Sequence, residues 1–275
     1  MNLNNIEIYL NPQSFEDLVQ DVKIQNIDKI YGKYTWLAGG TWLFSEPQPD
    51  ISGVIDIQDF GWDEIEIAND NLQIGATCPL VKLLEYNWLS EWKATSGFES
   101  AISALSASFK VVNMATLGGN ICLALSVGTF APLMVALDAS YEIWSLDTAS
   151  RLVSAKDFQI GHRQTILKPG EILRRVLIPI ENLHWEIYYQ RFGIASSDPA
   201  LVIVVMANDK VNSQMHCVLG ASVEFPQLIR NFLNYQEINH IIEGIKFIED
   251  VRASTNYRRE ITKILIERCL LQVIT

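Results

Sequence analysis

Two short glycine pairs are the residues of this 275-residue chain best suited to chemistry. Gly39-Gly40 lies in Leu37-Ala38-Gly39-Gly40-Thr41-Trp42, and Gly118-Gly119 lies in Ala115-Thr116-Leu117-Gly118-Gly119-Asn120. Glycine has no Cβ and reaches φ > 0, so successive backbone N–H groups can converge on one anionic group. Two such loops suggest a ligand held from two sides. Each loop alone also fits a tight turn between strands; Thr116 and Asn120 add side-chain donors that strengthen the second. Neither has the GxGxxG or GxxxxGK[ST] spacing, so neither a Rossmann dinucleotide site nor a P-loop is supported. The four histidines (His162, His184, His216, His240) stand in no Ser/His/Asp or HExxH pattern and read as solvated or core residues. Cys78, Cys122, Cys217 and Cys269 have no CxxC spacing, which argues against a metal or cluster site in this chain. Trp36, Trp42 and Trp62 could stack on a planar ring, but core packing is the simpler account.

The elements that must carry these loops follow from local pattern. Ser14 is placed to cap a helix with Phe15, Leu18, Val19 and Val22 as its apolar stripe. Thr35–Ala38 and Gly53–Ile57 read as strands. Glu64–Ile67 and Leu72–Ala76 flank a hairpin turn at Asn69-Asp70-Asn71. Thr77 is the expected cap of a helix over Leu80–Tyr86, and Phe98–Phe109 reads as helical. Val111–Leu137 carries no charged side chain over 27 residues. Its inner glycines, Asn113, Asn120 and Pro132 break an apolar helix, so it reads as a turn-rich core segment and not a membrane span. Ala139–Trp144 and Arg151–Val153 suggest another hairpin, with Asp157-Phe158 and Lys168–Glu171 in turns and a strand over Ile172–Ile178. Composition shifts at Pro179–His184, taken as a domain boundary. Strands are then expected at Ile187–Phe192, Ala200–Ala207 and Met215–Ala221. Helices are expected at Ile238–Ile248 and Tyr257–Val273, the last with Ile261, Ile264, Leu265, Cys269 and Leu270 as its apolar face and Arg258-Arg259-Glu260 solvated. Strands followed by helices without βαβ alternation predict an α+β fold.

With 49% hydrophobic and 19% charged residues the chain is globular. A net charge of −11 disfavours nucleic acid and anionic membranes as partners. The N-terminus shows no basic segment followed by an apolar one, so no signal peptide is expected. Scattered thiols fit a reducing compartment, and the cytoplasm is the expected location.

Taken together, AGGTWL, VIDI, LQIGATCPL, NMATLGGNI, APLMVALDA, RLVSAKDF and LKPGEIL, in this order between residues 38 and 173, resemble one family. It is the FAD-binding medium subunit of the molybdenum hydroxylases, a group that includes the carbon monoxide dehydrogenase medium subunit and the flavin domain of xanthine dehydrogenase. Tyr257-Arg258-Arg259 with Ile264-Leu265 and Arg268 resembles the family's closing helix. The resemblance implies a vanillyl-alcohol-oxidase type (PCMH-type) fold: FAD-binding subdomains at 1–55 and 56–180 and a C-terminal α+β domain at 181–275. It implies that Leu37, Ala38, Gly39, Gly40, Thr41 and Trp42, with Ala115, Thr116, Gly118, Gly119 and Asn120, surround FAD, the glycine loops giving N–H groups to its diphosphate. Trp42 and Thr129 stand where the family usually has Asp, and Val112 where it has Arg; Thr129 keeps a hydroxyl toward the cofactor. Tyr188–Pro199 matches the family's loop near the flavin ring, so Arg191 or a tyrosine there is expected to touch the flavin or its acceptor. The implied role is electron relay, with a [2Fe-2S] small subunit and a molybdopterin large subunit as partners and NAD, a quinone or oxygen as acceptor. A non-catalytic assembly subunit of the same fold that has lost FAD is the alternative, and a free-standing flavin oxidoreductase a third reading.

Overall fold

The computed structural model describes residues 5–25, 33–147, 149–230, 232 and 234–274. Its first sheet is small and parallel, in the order β1 (Ile8–Leu10), β3 (Gly53–Asp56), β2 (Tyr34–Leu37). Helix α1 (Phe15–Gln25) starts at Ser14, whose Oγ accepts the Asp17 N–H at 3.1 Å. Its Phe15 and Leu18 are buried in a cluster with Ile55, Ile57, Trp62 and Ile172. That cluster joins the first sheet to the second; the side chain of Val22 lies outside the described residues.

The second sheet has five strands in the order β4 (Ile65–Ala68), β5 (Asn71–Gly75), β10 (Glu171–Pro179), β6 (Ser140–Ser145), β7 (Arg151–Ser154). Asn69 and Asp70 both take positive φ (49° and 57°) between β4 and β5, the two-residue turn whose twist matches that of a hairpin. Five helices fill the connection from β5 to β6: α2 (Leu80–Glu85), α3 (Ser96–Ala104), α4 (Phe109–Met114), α5 (Leu117–Cys122) and α6 (Phe130–Ala136). After β7 come α7 (Ala155–Phe158) and the two short strands β8 (Gln159–Gly161) and β9 (Gln164–Thr165). The third sheet is antiparallel, in chain order β11 (Glu186–Phe192), β12 (Val202–Asp209), β13 (Gln214–Gly220), β14 (Gln227–Ile229), and is followed by α8 (Tyr235–Glu243) and α9 (Thr255–Ile274).

The charge-free run is explained by where α6 sits. Every residue of α6 is buried, and the helix packs against α3 and the strands β12 and β13. A helix enclosed all round has no solvent face to make polar. Strand β12 is likewise buried along its whole length. Ile203, Val205 and Ala207 join the core around α6, while Val202, Val204 and Met206 join a second core under α8 and α9. Covered on both faces, such a strand reads as a continuous apolar run and not as an alternation. No helix of the described residues is long and apolar enough to cross a membrane.

Several expectations are corrected. Pro79, not Thr77, precedes α2, and the Thr77 hydroxyl is buried without a partner. The Phe98–Phe109 segment is not one helix: α3 ends at Ala104, Ser106 takes φ 52°, and Ser108 caps α4 by accepting from Val111 N–H. Asp157-Phe158 belongs to α7, and α8 starts at Tyr235 and stops before Gly244. The largest correction is α9. Its buried face is Arg258, Thr262, Leu265, Ile266 and Cys269, while Ile264 is 43% exposed. Arg258 is fully buried, donating to the carbonyls of Leu201 (2.7 Å) and Ala221 (3.3 Å) and to Asp250 (2.8 Å). Burial alone pushes the Asp250 carboxyl up, but Arg252 and Arg258 together hold it well below the usual carboxylate range.

Candidate functional site: a cavity between the glycine loops

Strand β2 delivers the chain to Gly39-Gly40, and the α4–α5 junction brings Ala115–Asn120 against it. The contact is direct: a Cβ on Gly39 would lie 1.7 Å from the Met114 carbonyl oxygen. Gly40 takes φ 66°, turning the loop so that its carbonyl receives the Phe44 N–H at 3.0 Å. On the other side, a Cβ on Gly118 would lie 2.6 Å from the Ala76 carbonyl oxygen, so that glycine lets α5 seat on the end of β5. Between the loops is a cavity of about 570 Å³. Leu37 to Trp42 and Ala115, Thr116, Gly118, Gly119 and Asn120 all line it.

The two loops differ in what their backbones have to offer. In the second loop the Leu117 N–H goes to Cys78, that of Gly118 to Ala76 and that of Asn120 to Thr116, all carbonyls at 2.9–3.0 Å. The Gly119 N–H goes to the Thr116 hydroxyl at 3.0 Å, and the Asn120 side-chain oxygen receives the Phe130 N–H at 3.3 Å. Thr116 and Asn120 thus cap helices. In the first loop the N–H groups of Gly39, Gly40 and Thr41 have no partner among the described residues. Unpaired backbone donors at the wall of a cavity are groups that a bound ligand can satisfy in place of water.

Electrostatics point the same way. The chain carries −11, yet no carboxylate is among the described residues lining the cavity. The one charged side chain there is Arg163, whose guanidinium lies 6.0 Å from the centroid of the Trp42 ring. Arg163 was not visible as a site residue in the sequence; the structure places it in the turn between Gly161 and Gln164, where it takes φ 56°. Apolar side chains complete the lining: Leu105, Val127, Leu167, Ile172 and Leu173. A ligand with an anionic centre and apolar planar parts matches this lining.

Thr129 and Arg191 do not line the cavity. Thr129 is buried with its hydroxyl unpartnered, and its carbonyl accepts the Tyr189 hydroxyl at 2.9 Å. Val112 sits in the core. Arg191 donates to the carbonyls of Ala104 (3.1 Å) and Asp198. Both carbonyls adjoin residues of the cavity wall, Ala104 and Leu105 on one segment and Ser197, Pro199 and Ala200 on the other, so Arg191 supports the wall without lining it. The Tyr188 hydroxyl is turned to Glu186 at 2.9 Å. Of the three tryptophans, Trp36 and Trp42 line the cavity, whereas Trp62 is buried among Phe15, Phe60 and Trp144.

Comparison with known proteins gives this geometry a context. The chain is 31% identical over 121 residues to the xanthine dehydrogenase of Oryza sativa subsp. japonica, a match covering 42% of this chain and 9% of that protein. It is 25% identical over 178 residues to the nicotine 6-hydroxylase medium subunit of Paenarthrobacter nicotinovorans, covering 59% of this chain and 62% of that one. The chain therefore spans less than two thirds of the length of these relatives. Its fold is that of the crystal structure of quinoline 2-oxidoreductase from Pseudomonas putida 86, with a TM-score of 0.81 at 22% identity over 99% of this chain and 98% of that chain. The α+β, PCMH-type architecture expected from the sequence is the one observed. The cavity fits FAD on its own terms: free N–H groups and an arginine for a diphosphate, no carboxylate to repel it, and apolar walls for rings. Residues 4–181 match the family model described as the FAD binding domain in molybdopterin dehydrogenase, and the chain belongs to that family of oxidoreductase domains.

Proposed function

We propose that this chain is the FAD-carrying medium subunit of a multi-subunit molybdenum hydroxylase and relays electrons. In this reading it receives them from the [2Fe-2S] clusters of a small subunit, which a molybdopterin large subunit supplies, and delivers them to NAD, a quinone or oxygen. FAD, when bound, supplies the exchange between one-electron and two-electron transfer. The chain's own part is to hold and shield it. Gly39, Gly40 and Thr41 offer N–H groups to the diphosphate, and Arg163 balances its charge. Trp36, Trp42, Leu105 and Ile172 enclose the rings. Leu37, Ala38, Ala115, Thr116, Gly118, Gly119 and Asn120 shape the cleft, and Thr129 and Arg191 stand behind it. The observation that carries the reading is a carboxylate-free cavity with unpaired backbone donors in a chain of net charge −11. The name of the nicotine 6-hydroxylase medium subunit supports work within an assembly. Three functional units follow, 1–55 and 56–180 around the cofactor and 181–275 as the C-terminal part. Four cysteines without a disulfide among the described residues support a cytoplasmic setting.

The test is the absorbance spectrum of the purified chain and of whatever copurifies with it. Flavin bands at about 370 and 450 nm, with FAD released by heat at about one per chain, are the expected result. Cluster and molybdenum subunits should accompany it. A colourless chain that takes up no added FAD would overturn the proposal.

A further inference from the structure

Glu171 lies at the start of β10, is 5% exposed, and does not line the cavity. Three of the sequence segments noted above nevertheless meet on it. Its carboxylate accepts from Arg151 Nε at 2.9 Å and Nη2 at 2.7 Å, and from the Lys168 backbone N–H at 2.8 Å. Arg151 Nη2 also donates to the Ile166 carbonyl at 3.2 Å. The Glu171 carbonyl in turn accepts the indole N–H of Trp36 at 3.1 Å. The Arg151 guanidinium, first through its hydrogen bonds, holds the Glu171 carboxyl below the usual carboxylate range, so at neutral pH this is an ion pair.

Each end of this relay adjoins the cavity. Trp36 lines it and is followed directly by the loop from Leu37 to Thr41. Ile172 and Leu173, next to Glu171, line it too, as does Leu167, which follows Ile166. Among the described residues, the Trp36–Glu171 bond is the hydrogen bond that crosses from the first sheet to the second. A bidentate carboxylate–guanidinium pair has little angular freedom. Holding Glu171 in place therefore helps to hold Trp36, and the loop that follows it, against β10.

We propose that Glu171 is a positioning residue for the cofactor. The Arg151–Glu171–Trp36 relay sets the width of the cleft, and FAD is held at full affinity only while the relay is intact. The proposal rests on the assignment of this cavity to FAD. Glu171→Gln keeps the size and the backbone carbonyl but ends the ion pair; Trp36→Phe keeps the ring and removes the cross-sheet donor. Flavin-fluorescence recovery gives the FAD dissociation rate and Kd, read beside the thermal midpoint of each apoprotein. Each single variant is expected to weaken FAD about tenfold, mainly through faster release, which corresponds to about 1.4 kcal/mol. The double variant should fall well short of the product of the two, because both cut one relay. Midpoints that fall while FAD Kd stays within twofold of the parent would overturn the proposal, as would fully multiplicative losses. If Glu171→Gln does not fold, Arg151→Gln, which ends the same ion pair from a residue off the cavity lining, decides by the same twofold limit. A parent chain that takes up no FAD would overturn the cavity assignment and the inference together, whereas a flavin-loaded parent with unaffected variants overturns the inference alone.

Discussion

Gly39→Ala is the substitution that the geometry of the cavity condemns most clearly. The new methyl would sit 1.7 Å from the Met114 carbonyl oxygen and 3.1 Å from Ala115 Cα, where ordinary contact begins at 3.4 Å. Both obstacles are backbone at the α4–α5 junction, so no side-chain tip can swing aside. The loop or the junction must retreat by more than an ångström. The hydrogen bonds proposed from the Gly39 and Gly40 N–H groups to the diphosphate would not survive such a move, because their useful range spans only about half an ångström. Two bonds to a charged acceptor are worth roughly 1.5–3 kcal/mol each, so FAD Kd should rise by about two to four orders of magnitude. The fold should suffer less: overpacking of this kind costs about 1–3 kcal/mol, or several degrees in Tm for a chain of this size. The assay is titration of apoprotein with FAD beside a thermal melt. Gly244→Ala is the control, since its methyl would meet nothing nearer than the Ile241 carbonyl at 3.5 Å, and it should bind FAD as the parent does. A folded Gly39→Ala chain that binds FAD within threefold of the parent would refute the reasoning.

Arg258→Met should cost about 3–5 kcal/mol, because it strips one buried guanidinium from two carbonyls and a carboxylate at once. A urea midpoint within error of the parent's would show that the buried network contributes nothing. Acid should act on the same network. The folded carboxyls of Asp250 and Glu171 are both lowered, so their contribution is complete above the unfolded values, 3.8 and 4.5, and is lost as pH falls through the lower folded ones. The urea midpoint should therefore drop as pH is taken from about 5 toward 3, and drop less in Arg258→Met; a midpoint that rises over that interval contradicts the sign.

Much of the fold was legible because it depends on local pattern. Asn69-Asp70 announced a hairpin through residues that tolerate positive φ, and β12 announced a strand through an unbroken apolar run. The three-residue strands β1 and β14 gave no such signal, being too short for a period to show. The break at Ser106 was hidden because Ala, Leu and Ser there suit either a helix or a turn. Arg258 was misread for a different reason. Charge type dominates a reading of an exposed face, although Arg258 precedes Thr262, Leu265 and Cys269 at helical spacing and so lies on the stripe that packs against β11 and β12. Only the carbonyls of Leu201 and Ala221, distant in sequence, and the carboxylate of Asp250 in the preceding loop make that place suitable for an arginine.

At the site, residue types predicted which segments meet but not what each backbone is free to do. Both glycine pairs reach the cavity, yet their glycines answer different needs. Gly118 allows close approach to Ala76, and Gly119 gives its N–H to Thr116, so that loop is largely self-satisfied. Gly39 permits approach to Met114 while the N–H groups around it stay unpaired, so that loop is the one left to bind. An acidic chain can hold an anionic cofactor under these conditions, because local charge governs binding more than net charge does. Carboxylates are kept off the lining, Arg163 is placed on it, and partial positive charges come from backbone that carries no formal charge at all. The width of the cleft, which decides whether those donors reach, is set outside it by Glu171, a residue whose role no inventory of cavity-facing groups would reveal.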